Sequence, residues 1–99
     1  TIALMSAYVI AEIEVTDPAA YEEYRKQVPA VVTRFGGRFI VRGGKIDPRE
    51  GGWTPKRIVV VEFPSLAQAQ KWYDSPEYAP LIKLRQKASQ GRLILVEGA

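Results

Sequence analysis

Between Trp72 and Arg85 the chain gathers residues that together could hold a small organic acid. Trp72, Tyr73 and Tyr78 offer aromatic walls. Ser75-Pro76-Glu77-Tyr78 reads as the opening of a helix, whose free amides attract an anion. Arg85 follows Tyr78 by seven residues, so the two share a helical face with Leu81 and Ile82. An arginine on an apolar stripe needs a carboxylate partner, a bound anion or a route to solvent. In a functional reading Arg85 clamps the carboxylate of a ligand whose apolar part lies against the aromatics. In a purely structural reading Trp72 and Tyr78 are core, Ser75-Pro76 is a cap, and Arg85 pairs with Glu77, Glu62 or Asp17. The sequence leaves both open.

Two further residues stand out. Arg42, just before Gly43-Gly44, can line the same cavity or sit in an interface between chains. Glu62 can serve as a base if desolvated, or as the cross-strand partner of Arg38. Tyr21 and Tyr24 read as core. The glycine pairs fit no phosphate-binding pattern and are explained as turns.

Missing residue types exclude more chemistry than any motif supports. The chain has no histidine and no cysteine. Serine–histidine and cysteine–histidine hydrolysis cannot be built in one such chain. Nor can histidine or thiolate zinc sites, or ordinary haem ligation. No clustered Asp/Glu motif suggests a metal, so neither metal nor cofactor is expected. The net charge is +3, with much of the positive charge between Arg34 and Arg57. Asp47 and Glu50 interrupt that stretch and no nucleic-acid-binding signature appears, so no nucleic-acid partner is expected. No apolar stretch approaches the roughly 18 residues of a membrane span. The first residues lack the pattern of a signal peptide. Residues 1–6 are expected to be a disordered start or extension, with Met5 a candidate true start, and the protein is expected in the cytoplasm.

The elements that must position these residues are legible. Ala7 to Val15 alternates as a strand, with Val9, Ala11, Ile13 and Val15 on one face and Tyr8, Ile10, Glu12 and Glu14 on the other. Asp17-Pro18 opens a helix whose apolar positions run from Tyr21 to Phe35. Pro29 should kink or interrupt it, and Gly36-Gly37 ends it. Arg38 to Arg42 is a second strand. Gly43 to Pro55 is a long arm carrying Trp53. Arg57 to Phe63 is the third strand. Ser65 and Gln68 cap a helix that Asp74-Ser75-Pro76 stops. A further helix follows from Ser75-Pro76, broken by Gly91, and Leu93 to Val96 is the last strand.

The order is β-α-β twice over, and the halves resemble each other. Gly37-Arg38-Phe39-Ile40-Val41 echoes Gly91-Arg92-Leu93-Ile94-Leu95. Aligning Asp17 with Ser65 also matches Tyr24 with Trp72. This predicts a single α+β domain over residues 1–99, a ferredoxin-like βαββαβ sandwich with a four-stranded antiparallel sheet and helices on one face. The other face would carry Tyr8, Ile10, Ile58 and Val60 beside Ile40, Ile94 and Val96, diluted by charges that include Arg38 and Arg42. That is too apolar for solvent. Packing two sheets face to face in a twofold homodimer would bury it.

Several stretches resemble the DUF1330 family, domains of unknown function within the dimeric α/β-barrel superfamily. They are Val15-Thr16-Asp17-Pro18 with Tyr21 and Tyr24, Gly36-Gly37-Arg38-Phe39 followed by Arg42-Gly43-Gly44, and Val61-Glu62-Phe63-Pro64-Ser65. The most specific is Trp72-Tyr73-Asp74-Ser75-Pro76-Glu77-Tyr78, continuing to Leu84-Arg85. The resemblance implies two ferredoxin-like subunits packed sheet to sheet. It implies no activity, because shared fold does not carry shared function. The wider superfamily includes cofactor-independent monooxygenases, lactone isomerases and haem enzymes. Without histidine or asparagine, schemes that rely on those side chains cannot be copied. The expectation is a small dimeric protein that binds an apolar or aromatic acid between sheet and helices, through Arg42, Glu62, Trp72, Tyr73, Ser75, Tyr78 and Arg85. A non-catalytic accessory module and a cofactor-independent isomerase or monooxygenase are the alternatives.

Overall fold

The computed structural model describes residues 5–99. The expected N-terminal extension falls largely on residues 1–4, outside them. Strand β1 (Ala7–Val15) forms where apolar and polar residues alternate, and its buried side is Ala7, Val9, Ala11 and Ile13. Helix α1 (Pro18–Arg34) follows, the Asp17 carboxylate accepting from the Ala20 amide at 3.2 Å. Gly36, at φ 82°, supplies the left-handed residue that turns the chain into β2 (Arg38–Arg42). Strand β3 (Ile58–Phe63) and helix α2 (Leu66–Tyr73) come next, the helix capped by the Ser65 hydroxyl, which accepts from Gln68 N at 3.1 Å. Helix α3 (Ala79–Ala88) and strand β4 (Ser89–Glu97) complete the chain.

The strands form one antiparallel sheet in the order β2-β3-β1-β4. This is the split β-α-β arrangement expected from the duplicated halves. The helices cover one face. Under them Val9, Ala11, Ile13, Val61 and Phe63 meet Tyr21, Tyr24, Val28, Val32, Trp72 and Tyr78. On the bare face Ile40, Ile94 and Val96 are exposed, Ile94 by 57%. Among the described residues no helix is long and apolar enough to cross a membrane.

Four local expectations are corrected. Helix α1 runs through Pro29 without interruption. What Pro29 removes is one amide donor, so the carbonyl of Arg25, four residues earlier, loses its helical partner. Helix α3 starts at Ala79, not at Ser75-Pro76: Ser75 Oγ donates to Trp72 O at 2.8 Å and accepts from Tyr78 N at 3.2 Å, so it ties a turn between α2 and α3. Gly91 does not break α3. It lies inside β4, opposite Ile13, where a side chain would strike the Glu12 carbonyl. Finally, the β2–β3 register slips between Phe39 and Val41. Val41 therefore points outward beside Ile40, and Arg42 turns to the helix-covered side instead of the bare face.

The charged partners follow the register. Arg38 Nε donates to Glu62 Oε1 at 2.8 Å across β2 and β3, as the sequence suggested. The β2–β3 arm returns across the sheet, Trp53 Nε1 donating to Glu12 Oε2 at 2.9 Å. Arg92 donates to the other oxygen of that carboxylate.

Candidate functional site

A small cavity of about 30 Å³ lies between sheet and helices. Its floor is aliphatic, from Val9, Ala11, Val59, Val61 and Leu93. Its charged groups are of one kind. Arg25, Arg42, Arg57 and Arg85 line it, and no aspartate or glutamate does. Among the described residues only Arg25 of these four has a carboxylate partner, Glu22 Oε2 at 3.0 Å.

Arg85 is carried on α3 and is only 7% exposed. None of the carboxylates that might have neutralised it, Glu77, Glu62 or Asp17, forms an ion pair with it. Its Nε is buried without a hydrogen-bond partner. Burial opposes its charge, but the facing oxygens of Tyr78 and Tyr24 favour it, and the net direction of its pKa is upward. Tyr78 is fully buried and stacks on Trp72 with ring centroids 4.2 Å apart. Trp72 in turn packs on Phe63 at 5.2 Å, and its indole N–H also lacks a partner. Tyr24, from α1, meets Tyr78 hydroxyl to hydroxyl at 2.7 Å. Burial pushes both phenols up, Tyr24 strongly, so both are neutral over the physiological range.

Arg42 and Arg57 lie toward the other end. Arg42 stacks on Phe39 at 4.4 Å and donates from Nη2 to the freed Arg25 carbonyl at 2.7 Å. Burial lowers its pKa, and the neighbouring charges of Arg25 and Arg57 add to that direction. Arg57 sits 5.7 Å from the Tyr21 ring centroid, and its Nε is buried and unpartnered. Gly43, at φ 74°, makes room for it, since a Cβ there would collide with the guanidinium.

Of the residues singled out from sequence, the structure thus brings Arg42, Trp72, Tyr78 and Arg85 to one cavity. Ser75 is buried in the turn beside it, and its polar contacts are spent on the backbone. The amides of Tyr78 and Ala79 likewise bond Ser75 O, so these two are not free for an anion. Tyr73 packs edge-on against Tyr78 and does not line the space. Glu62 lies on the bare face with Arg38, remote from the cavity. Arg57 was not singled out, although it falls in phase with Val59, Val61 and Phe63, the buried side of β3. Among the described residues no cluster of acidic side chains is arranged to hold a metal.

An electropositive space lined by N–H and O–H donors can bind and orient an anion. Neither Tyr24 nor Tyr78 is ready to take a proton at neutral pH.

Solved structures share this fold. A protein of unknown function from Rhodopseudomonas palustris superposes with a TM-score of 0.73 at 19% identity, covering 96% of this chain and 83% of that one. SnoaB, a cofactor-independent oxygenase from Streptomyces nogalater, gives 0.65 at 14% identity, covering 96% and 94%. A conserved protein from Methanosarcina mazei gives 0.58 at 10% identity, covering 98% and 96%. At these identities the likeness concerns the fold alone. No curated protein matches the chain. The family model for the domain of unknown function DUF1330 matches residues 6–99, and with nearly its whole length matched the chain belongs to that family.

Proposed function

We propose that the protein binds a small organic acid in the cavity between sheet and helices, and that two chains pair through their bare sheet faces. The observation that carries the first part is Arg85, buried beside Trp72 and Tyr78 with its Nε unpartnered and no carboxylate paired with it. A buried charge without a counter-charge is costly, and a bound carboxylate is the natural remedy. Trp72 and Tyr78 then flank the apolar part of the ligand.

The space sets the size. About 30 Å³ holds two water molecules or a single carboxylate group. An aromatic acid is larger than this space and enters only if lining side chains move. The function is binding rather than proton transfer, because neither buried phenol is a base at neutral pH and Glu62 faces away.

Thermal denaturation with millimolar acetate, butyrate, benzoate and phenylacetate tests the reading at constant ionic strength. At least one acid should raise the midpoint in the wild-type chain, and Arg85→Gln should abolish the rise. If no acid raises it, the reading fails.

The pairing rests on Ile40, Ile94 and Val96, which are exposed together on a face that also carries the half-buried Ile10 and Val60. A twofold packing of these faces is the sheet-on-sheet arrangement that removes such a patch from water.

A further inference from the structure

The cavity has more positive charge than one carboxylate can answer. Arg85 stands at its inner end, against Tyr78 and Trp72. Arg42 and Arg57 stand together at its other end, against Phe39 and Tyr21. Tyr24 lies between, its hydroxyl on Tyr78 and its ring beside Tyr21 at 5.6 Å. The charge of Arg42 is disfavoured by burial and, in the same direction, by the neighbouring charges of Arg25 and Arg57. Each end holds a buried guanidinium Nε without a partner, and the inner end adds the Trp72 indole N–H. Between the ends the wall is aliphatic, with Val59, Val61 and Leu93 on the sheet side.

We propose that the ligand is a short dicarboxylate or an acid of equivalent double charge, one carboxylate at Arg85 and the other at Arg57 and Arg42. This rests on the acid-binding reading and narrows it. A single carboxylate at Arg85 leaves the half-buried Arg57 with its Nε buried and unpartnered, whereas a second acidic group reached through a few methylenes pairs it. Arg57 then distinguishes double from single charge, because charge-assisted contacts to a half-buried guanidinium are strong and a methyl group in the same place leaves them unmade. The second group meets the cavity on the side where Arg42 lies half-exposed, so the ligand needs only its first carboxylate in the small inner space.

Calorimetric titration at fixed ionic strength, comparing succinate with butyrate and malonate with propionate, tests it. In the wild-type protein the best dicarboxylate should bind at least tenfold more tightly than its monocarboxylate counterpart. Arg57→Gln should reduce that ratio to threefold or less. Equal affinities for the two classes would overturn the proposal while leaving acid binding intact. A tenfold preference that Arg57→Gln and Arg42→Gln both leave unchanged would overturn it too. Binding of neither class would remove the acid-binding reading, and this narrowing with it.

Discussion

Arg42 occupies the helix carbonyl that Pro29 cannot. In an unbroken helix the amide of residue 29 would bond the carbonyl of Arg25; proline has no amide hydrogen, and Arg42 Nη2 donates to that oxygen at 2.7 Å instead. A helix defect on α1 thereby fixes an arginine of β2 at the edge of the cavity. Pro29→Ala restores the helical donor and improves the intrinsic propensity of the segment, so it should stabilise the fold by about 1–3 kcal/mol. It should also uncouple the pair. Arg42→Ala should cost about 1 kcal/mol less in the Pro29→Ala background than in the wild type, measured as a double-mutant cycle by urea denaturation. Additive effects would mean that the two residues do not share the carbonyl.

The Tyr24–Tyr78 hydroxyl pair makes a prediction for alkaline stability. Both phenols are pushed up, chiefly by burial. Above about pH 10 the unfolded chain loses these protons while the folded chain keeps them, so the unfolded state is favoured as pH rises. The stability present below pH 10 should fall above it, by up to about 1.4 kcal/mol per pH unit for each phenol. Tyrosine absorbance should show Tyr24 and Tyr78 ionising only as the fold is lost. Tyr24→Phe leaves the buried Tyr78 hydroxyl without its hydroxyl partner, at a cost of about 1–3 kcal/mol. The double Phe variant should cost less than the sum of the two single ones.

The elements were legible where a local rule sufficed. Alternation marks β1, and Asp17 and Ser65 cap the helices that their positions announce. The pairing of Arg38 with Glu62 follows from simple hairpin register. The candidate site was legible only in part. Trp72, Tyr78 and Arg85 come from one stretch of chain: helical spacing aligns Tyr78 with Arg85, and the Ser75 turn sets Trp72 against Tyr78. Tyr24 reaches Tyr78 across 54 positions, a contact no local pattern encodes. Arg42 reaches the cavity through the β2 bulge, and one slipped residue reverses every later side chain of the strand. Arg57 precedes β3 as regular structure defines it, so its agreement with the buried phase of that strand is easy to miss. Gly91 reads as a breaker because close backbone approach has no signature distinct from a turn.

The arm that carries Trp53 is held by one carboxylate. Glu12 accepts from Trp53 Nε1 and from Arg92, and these bonds hold its pKa below the ordinary value of 4.5. A lowered carboxylate contributes its interaction above that ordinary value and loses it as pH falls through the folded-state value. The arm should therefore loosen in acid, at a pH below that ordinary value. The two tryptophans separate the events, because Trp53 is 54% exposed and Trp72 is buried. In a Trp72→Phe variant, Trp53 emission should change in that acid range while the far-ultraviolet circular dichroism is unchanged. Glu12→Gln should abolish the acid transition. A Trp53 signal that moves only with global unfolding would show that the carboxylate does not hold the arm.

The bare sheet face carries the last prediction. Ile94 on β4 is exposed by 57%, beside Val96 on the same side of the strand. Neither touches the helix-side core, so charging them should not disturb it. If this face pairs with a second copy, sedimentation equilibrium of the wild-type chain should give twice 11.1 kDa. Ile94→Glu with Val96→Lys should give a monomer with native circular dichroism, since a charge facing apolar surface across a sheet-on-sheet interface is desolvated without a partner. The same pair of changes leaves the arginine-lined cavity untouched, so acid binding by the resulting monomer measures whether the two features act independently. A wild-type chain that sediments at 11.1 kDa at high micromolar concentration would refute the pairing.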